Sequence, residues 1–253
     1  MDAQSFYDDL AADYDALHAD WPASVRHQGE VLDALIRGEL GDAPQRVLDC
    51  SCGIGTQAIG LALAGHAVHA TDLSPASVMR ARREAEMMGT TLTSGVADFT
   101  RLAEQVEGTF ACVLSCDNSV AHLHSDADLA GFASGVAEKL EPGGLAVVSL
   151  RDYEALRSER VAGHPVRFGP GTVSFQIWDW DDAGRSYELA QFTLRGEGER
   201  WETSCRRTRL RALLRPELCA ALSDAGLTRV RWRTPDETGY YQPIVTGRRQ
   251  NRF

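Results

Sequence analysis

The sequence predicts an α/β fold: a seven-stranded, mostly parallel sheet with helices on both faces, preceded by a helical extension and carrying a small antiparallel β insertion after strand five. Three observations predict it. Arg46 to Gly60, RVLDCSCGIGTQAIG, reads as a short strand, a glycine turn and a helix. From there to Leu150, short apolar runs alternate with single helical patterns, as in a parallel sheet covered on both sides. Beyond Arg151 the hydrophobic period changes from helical to two.

The elements follow in order. Phe6, Leu10, Tyr14 and Leu17 recur at helical spacing, which predicts a helix over Ser5–Leu17. Val25, Val31, Leu32, Leu35 and Ile36 predict a second over Pro22–Ile36, ended by Gly41-Asp42-Ala43-Pro44. Strand one is about 46–50 and its helix about 56–65; strand two is about 67–71 and ends at Asp72. Ser74-Pro75 starts a helix, because serine caps and proline suits the first helical position, and Gly89 closes it. Strand three is about 92–96, a short helix about 100–106, and strand four about 110–115. Ser125 caps a helix of about 127–140, and Pro142-Gly143-Gly144 turns into strand five, Leu145–Leu150. In the insertion, Val173, Phe175 and Ile177, then Tyr187, Leu189, Phe192 and Leu194, alternate around an Asp181–Gly184 turn, and Trp201–Leu210 is a third strand. A helix from Arg215-Pro216 to Ala225 and two last strands, Val230–Arg233 and Tyr241–Thr246, finish the chain. The expected units are a helical cap at 1–44, a core at 45–151, the insertion at 152–212 and the end of the core at 213–253.

Composition narrows the function. The 253 residues carry a formal net charge of −10, which disfavours a nucleic-acid partner because phosphate binding needs a basic surface. Arg206, Arg207, Arg209, Arg211 and Arg215 cluster, and the bland reading is a solvated strand face. No apolar run is long enough to span a membrane and no signal segment opens the chain, so a cytoplasmic enzyme is expected. The six cysteines match no zinc spacing, so no metal is expected, and small buried thiols in a reducing compartment fit better.

The strand–turn–helix corner is a nucleotide-binding device, since glycines let the backbone approach a ligand and the helix start presents free N–H groups. Gly53-x-Gly55-x-x-Ala58 alone also fits a dehydrogenase. The elements that follow separate the readings. Asp72 ends strand two where a ribose-binding acid belongs, and Asp98-Phe99 follows strand three with a carboxylate for an exocyclic amine and a ring for a base face.

With Asp49 closing strand one, this order resembles the class I S-adenosylmethionine-dependent methyltransferases and their Rossmann-like sheet. A closer resemblance, to the glycine/sarcosine N-methyltransferase group, rests on FYDDLAADYDALHADW with Arg26-His27-Gln28, DCSCGIGTQAIGLA, SCDNSVAHL and GYYQPIV. The resemblance implies that Tyr14, Trp21 and Arg26 hold the methionine part of S-adenosylmethionine, with Arg26 on its carboxylate. It implies that Gly53 lies against the cofactor, that Asp72 binds the ribose, and that Asp98 and Phe99 bind the adenine. Asp49, Cys50, Leu73, Cys116 and Asp117 complete the cofactor site. Asn118 and His122 are expected to face the transferable methyl, and Arg151 the carboxylate of glycine. The product would be S-adenosylhomocysteine, the partner a small molecule, and an oligomer is compatible with all of this. Arg151-Asp152-Tyr153 matches the group's pattern loosely. An O- or C-methyltransferase of specialised metabolism and a non-catalytic cofactor-binding protein are the alternatives.

Overall fold

A computed structural model describes residues 2–251. Its central sheet has seven strands: β1 (Arg46–Asp49), β2 (Ala67–Asp72), β3 (Thr93–Val96), β4 (Phe110–Ser115), β5 (Leu140–Ser149), β10 (Leu227–Arg233) and β11 (Ile244–Arg249). The order is β10-β11-β5-β4-β1-β2-β3. The five strands from β5 to β3 run parallel, and β11 and β10 are antiparallel additions. The order reverses between β1 and β4, so a crevice opens beyond the carboxyl ends of those two strands, where open α/β sheets bind ligands.

The strands are buried on both faces and so read as apolar runs: Val47, Leu48, Val113, Leu114, Val147 and Val148 are at most 1% exposed. The helices α3 (Thr56–Leu63), α4 (Pro75–Met87), α5 (Leu102–Gln105) and α6 (Asp126–Lys139) connect them. The cap of α4 is built as its sequence suggests, with Ser74 accepting from Ser77 N–H. Asp8, on α1 (Ala3–Leu10), adds a carboxylate at the same helix start, accepting from Ala76 N–H at 3.1 Å and Ser74 Oγ at 2.6 Å. A negative charge is favoured there by the free N–H groups, and it ties the N-terminal helix to the β2–α4 corner.

The long helix α2 (Trp21–Leu40) crosses α3 with backbone against backbone. A Cβ at Gly60 would lie 2.5 Å from the Val25 carbonyl, and one at Gly29 would lie 2.6 Å from the Gly60 backbone. Neither position can hold a side chain without pushing the helices apart.

The structure differs from the sequence reading in several places. The expected helix over Ser5–Leu17 stops at Leu10, and Tyr14–Leu17 is a separate 3₁₀ turn. Distant partners break it: Asp13 accepts from Arg195 Nε at 2.6 Å and Arg206 Nη2 at 2.8 Å, and the Ala16 carbonyl accepts from Ser174 Oγ at 2.6 Å. The insertion has four antiparallel strands, not three: β6 (Gly163–Gly169), β7 (Thr172–Trp180), β8 (Ser186–Glu197) and β9 (Arg200–Arg211). The extra strand β6 contains Gly163, Pro165 and Gly169 and has no clean alternation. It is preceded by α7 (Tyr153–Glu159), capped by Asp152, which accepts from Ala155 N–H. Near the end, α8 (Arg215–Asp224) is as expected, whereas α9 (Pro235–Thr238) was not, and β11 starts three residues beyond Tyr241. Tyr240 and Tyr241 therefore sit in a loop over the crevice.

The arginine cluster is paired rather than a bare basic face. Arg206 is held by Asp13, Arg207 by Glu188, and Arg211 by Asp126 and Glu217. No helix among the described residues is long and apolar enough to cross a membrane.

Candidate active site

The glycine turn is pinned to the strands on either side of it. Cys50 N–H donates to the Leu114 carbonyl and Cys52 N–H to the Thr71 carbonyl, each at 2.9 Å. Gly55 has φ of +97°, and a Cβ there would meet Ile59 Cδ1 at 2.8 Å, so both space and backbone require glycine. Gly53 N–H donates to Asp72 Oδ2 at 2.8 Å and Ser74 N–H to Asp72 Oδ1 at 2.9 Å. One carboxylate thus joins the turn to the end of β2. Burial pushes its pKa up, while those backbone bonds oppose the shift. Each oxygen keeps one lone-pair position for a ligand hydroxyl.

A narrow inner cleft follows. Of the residues expected at a cofactor, Tyr14, Cys50, Gly53, Asp72, Leu73, Phe99 and Asp117 line it, joined by His122. Tyr14 lies over the turn, and a Cβ at Gly53 would reach within 3.8 Å of its Cζ, filling the gap between loop and ring. Bare backbone, an overlying ring and a diol-competent carboxylate are what an adenosyl group needs, so the residues present fit S-adenosylmethionine.

Five expected residues stand elsewhere. Arg26 is on the exposed face of α2, one position out of phase with the inward-facing Val25 and two from Gln28, and does not line the cleft. Trp21 is buried behind the turn with Val25, Ile54 and Ile59, and donates to Thr56 Oγ1 at 2.9 Å, so it props the turn. Cys116 packs into the apolar layer beneath β4, and burial raises its thiol pKa. Asp49 is fully buried under the turn with Oδ2 unpartnered, and burial pushes its pKa up to about 8. Asp98 caps the turn after β3, accepting from Thr100 N–H and Oγ1 through Oδ1 alone. Oδ2 makes none of these bonds.

Beyond β4 the backbone is strained: Asp117 and Asn118 have φ of 59° and 69°, a region that side chains other than glycine rarely occupy. Side-chain bonds hold them there. Asp117 Oδ1 accepts from Tyr240 Oη at 2.8 Å and Tyr241 Oη at 2.6 Å. Asn118 donates to Tyr153 Oη at 2.9 Å and accepts from Arg151 N–H at 3.1 Å. Asn118 is therefore spent on positioning, and its neighbours do the facing.

Two further spaces adjoin the inner cleft. A middle chamber is lined by Tyr7, Asn118, His122 and Arg151. An outer one, about 350 Å³, is walled by the insertion. Tyr14 and Asp117 line all three, so they mark the junction.

His122 was a candidate base. Burial, then the charges of His124 and Arg151, pull its pKa down to about 3, which leaves the imidazole neutral. Tyr7 Oη lies 3.0 Å from its Nε2. Burial keeps that phenol protonated, so it can donate to or accept from the neutral ring, and the buried Nδ1 has no partner of its own. With its pKa so lowered, the imidazole is not suited to take a proton at neutral pH.

Arg151 lies at the end of β5. Its guanidinium is 4.6 Å from the centre of the Trp178 ring and donates to Tyr187 Oη at 2.7 Å. Tyr187 Oη is in turn 3.0 Å from Tyr153 Oη. No carboxylate pairs with Arg151 among the described residues. Sequence reasoning found Arg151 and missed Tyr187 and Trp178, because alternation along β7 and β8 shows which residues share a face and not what that face meets.

Comparison with known proteins agrees with this geometry. Residues 47–144 match the methyltransferase domain family. The CcbJ methyltransferase of Streptomyces caelestis has the same fold, with TM-score 0.79 at 20% identity over 99% of this chain and 100% of that one. So does CalS10, an amino pentose methyltransferase from Micromonospora echinaspora with S-adenosylmethionine bound, at TM-score 0.72 and 20% identity over 94% and 95%. These likenesses show the methyltransferase fold and, over residues 47–144, a match to a methyltransferase domain. Among curated proteins the chain is similar to the glycine/sarcosine N-methyltransferase of Parasynechococcus marenigrum, 29% identical over 170 residues. That alignment covers 67% of this chain, which spans 58% of the relative's length.

Proposed function

We propose that the protein N-methylates a small amine that carries a carboxylate, of the glycine or sarcosine kind. The observation that carries this reading is Arg151, a half-buried cation stacked on Trp178, oriented by Tyr187 and lacking a carboxylate of its own. An arginine in that setting can take a carboxylate through two parallel hydrogen bonds. The similarity to a glycine/sarcosine N-methyltransferase supports the same class.

S-adenosylmethionine supplies a methyl group already activated by its sulfonium. An amine lone pair would form the new C–N bond as the C–S bond breaks, with sulfur keeping that electron pair. What remains for the chain is placement. Asp72, Gly53, Phe99 and Tyr14 would hold the adenosyl part in the inner cleft, while Arg151 would anchor the acceptor from the neighbouring chamber. Nucleophile and methyl carbon would then meet at the Tyr14–Asp117 junction. Such orientation is worth up to roughly 7–11 kcal/mol of barrier. With His122 neutral, the amine proton leaves to water through the outer chamber. The unpaired Arg151 charge also helps to keep His122 and His164 neutral, and a bound carboxylate would relieve that effect.

A methyl-transfer assay with mass detection, using glycine, sarcosine and dimethylglycine, tests the reading. Stepwise methylation of the first two is expected. Transfer to neutral amines with none to these acids would overturn it. The size of the outer chamber favours a second reading, a larger amine such as an amino sugar, and that acceptor belongs in the same assay.

A further inference from the structure

The outer chamber carries a second cation that the reading above leaves unused. Arg167, exposed on β6, lines its wall and also a neighbouring hollow that holds Asp15, Asp20 and Glu84, but it forms no ion pair among the described residues. The one acid lining the chamber, Asp117, has Oδ1 committed to two tyrosine hydroxyls. The other titratable groups there, His18, His27 and His164, add no negative charge. A protein with a net charge of −10 thus lines this chamber with two unpaired guanidiniums. Both lean on β7: Arg167 is in register with Ser174, and Arg151 stacks on Trp178. Those anchors are four residue steps apart, about 14 Å at about 3.4 Å per residue. Between them Gln176 accepts from Trp178 Nε1 and donates to Gln191 Oε1, each at 3.0 Å, a neutral wall with its hydrogen bonds made.

We infer that the acceptor carries a second anionic group, carboxylate or phosphate, remote from its amine, and that Arg167 binds it. The inference rests on Arg151 holding the proximal carboxylate. Burial first, with the Arg167 cation among the further causes, lowers the pKa of both His18 and His164, as expected if the guanidinium faces inward. A monoanion such as glycine would leave Arg167 unpaired, and a twofold anion would neutralise both ends.

The test compares glycine with glutamate, γ-glutamylglycine and O-phosphoserine as acceptors, for the wild type, Arg167→Gln and Arg167→Lys. Binding to the protein with S-adenosylhomocysteine is measured by calorimetry alongside turnover. The expected result is that at least one dianion exceeds glycine tenfold in kcat/KM. Its advantage over glycine should fall at least tenfold in Arg167→Gln and be partly restored in Arg167→Lys. A preference for glutamate or γ-glutamylglycine assigns a carboxylate, and one for O-phosphoserine a phosphate. Glycine outperforming every dianion, or Arg167→Gln leaving the ratio unchanged, overturns the inference. Indifference of all these acids to Arg151→Gln would instead defeat the reading on which it rests.

Discussion

Replacing Arg151 by methionine separates binding from stability better than any other change in this site. Methionine keeps an apolar stem beside Trp178 and removes the charge. Folding loses one hydrogen bond from a charged donor, about 1.5–3 kcal/mol, and a cation–π contact of about 0.5–2 kcal/mol. Against this, a half-buried unpaired cation no longer has to be partly desolvated, which offsets much of that loss. Tyr187 Oη keeps Tyr153 Oη at 3.0 Å, so no buried hydroxyl is orphaned. The opposing terms leave a net change of about 1 kcal/mol in either direction, or a melting-temperature shift of about 2–4 °C for a chain of this size. Binding has no such compensation. Two charged hydrogen bonds to the acceptor carboxylate, at about 1.5–3 kcal/mol each, amount to a KM increase of roughly 10²–10⁴. Steady-state kinetics with glycine and sarcosine, a melting curve and a calorimetric titration of S-adenosylmethionine would be run on one preparation. The expected pattern is a large KM effect, a small thermal shift and unchanged cofactor affinity. An unchanged KM, or a cofactor affinity that falls in parallel, would refute the reasoning.

Three further outcomes are expected. Asp72→Asn keeps one acceptor for the turn and loses the charge, so S-adenosylmethionine affinity should fall by about 1.5–3 kcal/mol per affected bond; calorimetry showing wild-type affinity would remove Asp72 from the ribose site. Gly60→Ala forces a Cβ to within 2.5 Å of the Val25 carbonyl and should destabilise by about 1–3 kcal/mol or more, visible as a drop in denaturation midpoint. Because burial lowers the His122 pKa from 6.5 to about 3, its neutral form contributes stability that is fully present above pH 6.5 and is lost as pH falls toward 3. His122→Gln should flatten stability-versus-pH in that window, and the wild-type pH–rate profile should show no inflection near 6.5 that this substitution removes.

Much of the site was readable from spacing alone. Glycine turns, acids at strand ends and alternating strands are local patterns, dictated by backbone geometry and by burial on both faces of a parallel sheet, so Gly53, Asp72, Phe99 and the position of Arg151 could be read from the chain. What the tertiary structure decided is which side chains meet across long separations. Asp13 finds Arg195 and Arg206 more than 180 residues away and breaks a helix that its own sequence favours. Helical phase turns Arg26 out to solvent and Trp21 into the space behind the turn. Burial, which no spacing reveals, keeps His122 neutral, and the packing of the insertion brings Arg151 and Arg167 to one chamber with no carboxylate partner. Periodicity follows from interactions within a few residues, whereas desolvation and pairing depend on everything packed around a group, and that is set by the folded chain as a whole.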